Sequence, residues 1–360
     1  MIAGFGRTPP TIAVWGTFPM YQTVLKVSAG VFAGLTMAAG VSFAAPYHSE
    51  ATQSVIGPRL QLLQQQQRIE VLRGFFDRLN LRRAGKGSFG VSAIGDTGLS
   101  AGDAALTNAL SVWASANYNN AENSFPSIAY DADTYGFSLG LDYAASDTVN
   151  VGAFLSYANT DTETPFNGGG SDTDAYTVGP YVSVMLNEIF TVDASIGYTF
   201  SEIENRSVVG LVTVTGDQDA ETWFASANIS ATKWFENNIG LTGRLGYSYS
   251  DSDNEAYVDS TGTPVAATES QLGQLQVAAR VSYYTENVLP YIGLTYVNDI
   301  DNERVIAAPL PSDDDDEFIA NAGATFFGEG PLSGGIDVSY NFGRDDTDGF
   351  GIGANVNYRF

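Results

Sequence analysis

The chain has 360 residues with 39 Gly, 21 Phe, 19 Tyr and no Cys, and 16 Lys and Arg against 41 Asp and Glu give a formal net charge of −25. An acidic chain repels phosphate backbones, which argues against nucleic-acid binding, and the lack of Cys excludes disulfide and thiolate chemistry. No window within residues 91–360 is apolar over the ~18 positions of a spanning helix, so we expect no helical membrane span there.

The first predicted element is an export signal. From Met20, MYQTVLK is a short basic region, VSAGVFAGLTMAAGV is an apolar core, and SFA before Ala45 fits the small-x-small cleavage pattern. We predict that residues 1–44 are a signal peptide cleaved between Ala44 and Ala45. Its core is 20–44, and residues 1–19 are either an extension or the result of a start assigned too early. This signal predicts export through the Sec machinery.

Residues 45–87 form a short N-terminal segment with one predicted helix, Pro58–Arg83. Pro58 suits a first helical position, and apolar residues recur at helical spacing on one stripe. The stripe consists of Leu62, Ile69, Leu72, Phe76 and Leu79. The helix is basic, with Arg59, Arg68, Arg73, Arg78, Arg82 and Arg83.

The rest of the chain is strongly acidic. Residues 88–360 carry 7 Lys and Arg against 38 Asp and Glu, a formal −31. This asymmetry predicts that the basic helix and the acidic remainder are partners. The alternative is an amphipathic helix that lies in the periplasm or pairs with another protein.

Twelve segments after the helix alternate apolar and polar residues. In FTVDASIGYTF, residues 190–200, every second side chain from Phe190 is apolar, as in a strand with one buried or lipid-facing side. Each segment has about 11 residues, which matches the ~9–11 tilted residues of a membrane-spanning strand. The segments are 109–119, 133–144, 148–158, 174–186, 189–200, 221–234, 239–250, 270–284, 288–298, 317–328, 332–343 and 349–360.

The connections between these segments alternate in length. Short turns such as ASD and NE alternate with Asp-, Asn-, Gly- and Thr-rich stretches such as TDTETPFNGGGSDTD, which we interpret as long external loops. Aromatic residues near segment ends, including Trp223 and Trp234, are typical of interfacial girdles. Residues 88–360 therefore predict an all-β, 12-stranded antiparallel transmembrane β-barrel, in preference to a soluble sandwich, a β-helix or a propeller.

Residues 54–360 resemble the translocator β-domain of autotransporters, the type V secretion proteins. The resemblance rests on an Arg-rich helix leading into LSVWASANYNN, then YGFSLGLDYAASDTVNVGAFLSYANTDT, and the terminal NVNYRF. The closing residues also resemble an outer-membrane assembly signal. Its matching positions are Ile352, Ala354, Val356, Tyr358 and Phe360.

This resemblance implies a helix threaded through the lumen and a barrel that exports or displays an N-terminal passenger. About a dozen residues lie between Ala45 and Pro58, so we expect little or no passenger in this chain. Some family members cut themselves at an Asn-Asn pair in the helix. Asn80 stands here without a second Asn, and we do not expect self-cleavage.

We predict no catalytic, cofactor-binding or metal site. The only His is His48, ahead of the barrel, so no imidazole within the barrel is available as a base for a Ser or water nucleophile. The acidic run Asp313–Glu317 is interpreted as a solvated loop. Weak divalent-cation binding that bridges to lipopolysaccharide is the minor alternative.

Six charged residues occupy positions opposite the apolar set of their segments and are predicted to face the lumen. They either keep the lumen polar and support hydrogen bonding between strands, or their acidic members pair with Arg side chains of the helix. The six are Asp142, Asp193, Arg244, Arg280, Asp337 and Arg359.

These observations favour a translocator-type barrel in the outer membrane of a Gram-negative cell. The expected partners are outer-membrane lipid, lipopolysaccharide and the Sec and barrel-assembly machineries, and the barrel is expected to be a monomer without a cofactor. Two alternatives remain: a small cation-selective channel, and a surface adhesin or structural barrel that acts through its acidic loops.

Overall fold

The computed structural model describes residues 110–126, 129–146, 148–303, 315–327 and 331–360. Within these ranges no helix has the length and apolar character needed to cross a bilayer. The predicted signal peptide 1–44, its cleavage site at Ala44 and Ala45, and the predicted helix Pro58–Arg83 with its six Arg residues lie outside the described residues.

Every regular element in the described residues is a β-strand. In chain order the strands are β1 Leu110–Asn123, β2 Tyr130–Ala144, β3 Val149–Thr164, β4 Gly169–Met185, β5 Phe190–Val209, β6 Val212–Trp234, β7 Ile239–Asn254, β8 Tyr257–Val258, β9 Pro264–Val265, β10 Thr268–Tyr283, β11 Val288–Glu303, β12 Asp316–Phe327, β13 Leu332–Arg344 and β14 Thr347–Arg359.

Twelve of these strands close into one antiparallel barrel. Each long strand pairs with its neighbours in the chain, β7 pairs with β10, and β14 returns to β1. The β1–β14 seam runs from Ser111 opposite Arg359 to Asn123 opposite Thr347. The short strands β8 and β9 form a separate ribbon within the β7–β10 connection. The predicted 12-stranded antiparallel barrel is confirmed.

The two faces of the barrel have the polarity expected in lipid. Outward side chains are apolar and exposed, as at Leu155 (63%) and Ile292 (65%), whereas inward Thr134, Ser183 and Thr199 are 0% exposed. A soluble sandwich would bury its apolar faces and expose its polar ones. Because this barrel does the reverse, its outer surface needs an apolar solvent.

The connections differ from the sequence interpretation at one end of the barrel. At the first end, short turns such as 186–189 and 235–238 join the strands as predicted. At the other end, much of the sequence assigned to long loops continues as paired strands. The stretch TDTETPFNGGGSDTD belongs mostly to β3 and β4, which turn within residues 165–168. We call the two ends of the barrel the tight-turn end and the hairpin end.

Side-chain pairing and glycine geometry explain the longer strands. Asn159 Nδ2 donates to Asp172 Oδ1 at 2.7 Å across the β3–β4 hairpin. Gly168 and Gly210 have φ of 61° and 66°, a left-handed conformation that suits glycine at a tight turn. Polar composition alone therefore did not distinguish a hairpin from a loop.

The β5–β6 hairpin is the longest projection, because its strands have 20 and 23 residues. Its turn contains only Gly210 and Leu211, and Leu211 is fully exposed. The β8–β9 ribbon lies against this hairpin, where Ser260 N donates to Thr215 O at 2.8 Å.

One predicted girdle residue faces the other way. Trp223 lies on the outer surface, but Trp234 is partly buried and packs against the cluster of Tyr284, Leu289 and Phe327. Residues 223 and 234 are separated by an odd number of positions, so a regular strand places them on opposite faces. The prediction that Trp234 contributes to an interfacial girdle was wrong, whereas Trp223 lies on the outer surface as predicted.

The alternation in β14 predicts different outcomes for neighbouring Arg substitutions. Val356 faces outward and is exposed, whereas Asn355 faces inward. Val356→Arg should destabilise the folded barrel by ~2–4 kcal/mol, the cost of Arg on the lipid face near mid-depth, and Asn355→Arg should have little effect. Urea titration with heat-modifiable mobility on gels measures both. Equal stability of the two variants would contradict the assignment of faces.

Candidate functional site

The barrel lumen is the candidate site, and glycine shapes its wall. At ten positions, among them Trp234 over Gly240, a large or polar inward side chain lies over a glycine of the neighbouring strand, in the space that a β-carbon would fill. Trp113 lies over Gly140, Asn228 over Gly246 and Tyr291 over Gly323. These side chains therefore lie along the wall instead of extending across the bore. The other pairs are Asn117–Gly136, Phe154–Gly179, Tyr181–Gly152, Phe224–Gly197, Asn321–Gly293 and Asp337–Gly353.

Four of these side chains form one apolar cluster, which we call the aromatic patch: Trp113, Phe154, Tyr181 and Phe224. They project from β1, β3, β4 and β6, and each is 95% buried or more. The Phe154 and Tyr181 rings stack with centroids 6.3 Å apart. The patch covers one side of the lumen.

Hydroxyl and amide side chains line much of the remaining wall. Hydroxyl pairs join neighbouring strands, as between Thr134 and Thr160 at 2.9 Å and between Thr177 and Thr199 at 2.9 Å. Such pairs satisfy polar groups within the wall and stabilise the register of the strands.

Asp142 lies at the edge of the aromatic patch. It accepts hydrogen bonds from Ser111 Oγ at 3.4 Å, from Asn150 Nδ2 at 3.3 Å and from the Tyr181 hydroxyl. Trp113 Nε1 donates to Tyr181 Oη at 2.8 Å. This network ties polar groups of β1, β2, β3 and β4 together near the tight-turn end.

The structure places all six predicted lumen charges at inward strand positions, within five residues of the tight-turn end of their strands. Asn228 links two of them, because its Nδ2 donates to Asp193 Oδ2 at 2.6 Å and its Oδ1 accepts from Arg244 Nε at 3.1 Å. The Arg280 guanidinium lies 3.6 Å from the centroid of the Tyr291 ring. Asp337 and Arg359 lie on β13 and β14.

Sequence reasoning missed a second charged group, at the hairpin end. Arg344 Nη1 lies 3.1 Å from Asp299 Oδ2, and Arg344 Nη2 lies 3.7 Å from Glu317 Oε2. Gly343, with φ of 98°, accompanies a register shift that turns Arg344 inward. The Gly before this Arg, at the end of an alternating segment, is the signal that could have indicated a bulge.

The acidic excess does not lie in the lumen. Among the described strands, nine charged side chains occupy inward positions, five acidic and four basic, a formal −1. The −31 of residues 88–360 is therefore not the charge of the lumen, because alternation places most carboxylates of the described strands on the outside, and the pairing of the basic helix with the acidic remainder stays a prediction. The nine are Asp142, Asp193, Asp299, Glu317, Asp337, Arg244, Arg280, Arg344 and Arg359.

Most outward carboxylates lie beyond the apolar belt, at the hairpin end. Tyrosines of the girdle donate to several of them, as from Tyr118 Oη to Asp133 at 2.5 Å and from Tyr157 Oη to Asp174 at 2.6 Å. Asp316, at the hairpin end of β12, accepts from Tyr296 at 2.5 Å and Asn298 at 2.9 Å, and these hydrogen bonds lower the pKa of its carboxyl group. The ring of carboxylates marks where the barrel leaves lipid.

The residues matched to an assembly signal, Ile352, Ala354, Val356, Tyr358 and Phe360, all face outward and are exposed. Tyr358 and Phe360 contact each other edge to face at 5.2 Å between centroids. Phe360 N also donates to Leu110 O at 3.1 Å, so the last residue takes part in the seam.

No group of three or more His, Cys, Asp and Glu side chains among the described residues is arranged to hold a metal ion. His48 and residues 313–314 of the acidic run lie outside them.

Comparison with known proteins places the barrel in a family context. The family described as Autotransporter beta-domain matches residues 112–342. Outer membrane protein B of Rickettsia rickettsii is 26% identical over 209 residues, which covers 53% of this chain and 13% of that protein. The chain thus spans about one eighth of the length of that curated relative.

Two solved structures share the fold. The translocator domain of NalP from Neisseria meningitidis superposes with a TM-score of 0.63 at 13% identity, covering 70% of this chain and 89% of that one. The β-domain of the Bordetella autotransporter BrkA superposes with a TM-score of 0.60 at 17% identity, covering 70% of this chain and 100% of that one.

The packing of glycine against large side chains makes a prediction for stability. A methyl group at Gly197 would overlap the ring of Phe224, whereas nothing lies within 4 Å of the same position at Gly243. Gly197→Ala should therefore lower the free energy of unfolding by ~1–3 kcal/mol, as overpacking does, and Gly243→Ala should be nearly neutral. Denaturant unfolding in detergent micelles measures the difference, and a neutral Gly197→Ala would show that Phe224 can move away.

Proposed function

This chain belongs to the autotransporter β-domain family and forms a translocator-type barrel of the outer membrane, and on that premise we propose that its lumen carries N-terminal polypeptide to the cell surface. In this proposal residues 58–83 then remain in the lumen as a helix. The helix would be ~39 Å long at ~1.5 Å per residue, enough to cross an apolar band of ~25 Å.

The observation that carries the proposal is the lining of the lumen. Large inward side chains lie flat over glycines, so the wall is smooth and the bore is not filled by the barrel's own strands. Twelve strands enclose a wider bore than eight-stranded barrels, whose interior is filled by side chains. This bore suits one helix with a diameter of ~10–12 Å including its side chains.

Burial supports an occupied lumen. Phe224 is 0% exposed and Trp113 is 1% exposed, although both project inward. In an open, water-filled bore, such side chains would be exposed to water on the side that faces the lumen. Coverage by another part of this chain is therefore favoured over a permanently open channel.

We propose that the tight-turn end faces the periplasm and the hairpin end faces outward, the arrangement expected for outer-membrane barrels. Export by the Sec machinery, insertion by the barrel-assembly machinery, monomeric state and contact with lipopolysaccharide belong to the same proposal. The role proposed is transport and not catalysis, because the only His precedes the barrel.

An epitope inserted between Ala45 and Pro46 tests the direction of transport. We expect antibody to bind it on intact cells, because the proposal carries this segment through the lumen. The matched control is the same epitope at Ser146, in the β2–β3 tight turn, which should bind antibody only after the outer membrane is opened. Binding at Ser146 and not after Ala45 would refute the proposal.

Deleting residues 54–86 tests the occupant of the lumen. We expect single-channel conductance in planar bilayers to rise relative to the intact mature chain, because the bore is then free. Ion selectivity should be weak at about 1 M salt, where a Debye length of ~3 Å screens the outer carboxylates and leaves the nearly balanced inward charges to act. Unchanged conductance would mean that these residues do not occupy the lumen.

A further inference from the structure

We propose that the aromatic patch is the docking surface for the apolar stripe of residues 58–83, so that the helix lies against one wall of the lumen in one rotational orientation. This inference rests on the proposed function, which places the segment in the lumen, and adds which faces meet.

The patch offers an apolar contact of four aromatic rings on one side of the lumen. Its four rings come from strands that are neighbours or near neighbours on one side, and the glycines beneath them keep the rings level with the wall. A flat apolar surface of this kind loses contact with water when a helix covers it, which favours association.

The wall directly opposite carries a cation at the level of Phe154, and its apolar cluster of Tyr284, Leu289 and Phe327 lies nearer the tight-turn end. β11 is six strands away from β3 in either direction around the barrel. It presents Gly293 and Thr295 inward, and the guanidinium of Arg280 covers the Tyr291 ring beside them. A basic helix would meet a cation there, whereas no basic side chain projects inward from β1 to β6 among the described residues.

The segment has a matching apolar face. Leu62 to Leu79 extends ~26 Å at 1.5 Å per residue, and the five stripe residues fall within about 100° around the helix. Arg68 and Arg73 border the stripe, each ~70° from its centre on opposite sides. The carboxylates Asp142 and Asp193 lie on β2 and β5, between the strands that carry the patch and toward its tight-turn side, where they suit an Arg side chain that borders the stripe.

Cysteine crosslinking tests this orientation, because the chain has no Cys of its own. Ser156→Cys places a thiol beside the patch, two residues from Phe154 on the same face of β3. Thr295→Cys places one on the opposite wall, and both positions lie seven residues from the tight-turn start of their strands. Each is combined in the full chain with Ile69→Cys, Leu72→Cys or Phe76→Cys on the stripe, or with Gln67→Cys, Gly74→Cys or Arg78→Cys on the other face.

Stripe positions should crosslink to the Ser156→Cys thiol at least about five times more than to the Thr295→Cys thiol, and the other face should show the reverse, since a disulfide needs Cα atoms within ~7 Å. A bis-maleimide longer than a disulfide also joins thiols that lie at different depths in the lumen, and heat-modifiable mobility checks that each double variant folds. Equal or reversed preference would overturn the inference and leave the proposed function standing. No crosslink from any of the twelve pairs would overturn both, because the segment would then lie outside the lumen.

Discussion

The pairing of β14 with β1 is the contact on which the rest of the barrel depends. An unpaired backbone N–H or C=O in lipid costs several kcal/mol, so a sheet can span a membrane only if it has no edge. Here the seam pairs thirteen residues of each strand, and Tyr118 and Phe350 contact across its outer side at 5.6 Å between ring centroids. Closure also separates an inner from an outer face. Alternation along every strand therefore places one set of side chains in the lumen and the other set on the outer surface.

Alternation then separates charge as well as polarity. Carboxylates such as Asp133 and Asp174 occupy outward positions beyond the apolar belt, where water can solvate them. Four arginines turn inward and face five acids. An acidic protein thus encloses a passage that is close to neutral, and net charge computed for the whole domain is a poor guide to the field inside it.

The sequence was sufficient to predict the number of strands and their faces, because lipid enforces a strict two-residue period. It was not sufficient for the hairpin end, since Thr, Asn and Asp between β3 and β4 are compatible with both loops and water-exposed strands. Arg344 escaped notice because the bulge at Gly343 shifts the period by one residue. The glycine partners of the inward side chains depend on register between strands, which a single sequence does not contain.

The sharing of one volume by a glycine and a large neighbour has an evolutionary consequence. At Gly197 and Phe224, either residue can change size only if the other has room for it. The order of substitution is then constrained, because Phe224 must shrink before Gly197 can grow, and the reverse order passes through an overpacked intermediate. Such positions should co-vary among descendants of this barrel, so that pairs of sites on adjacent strands are inherited as units.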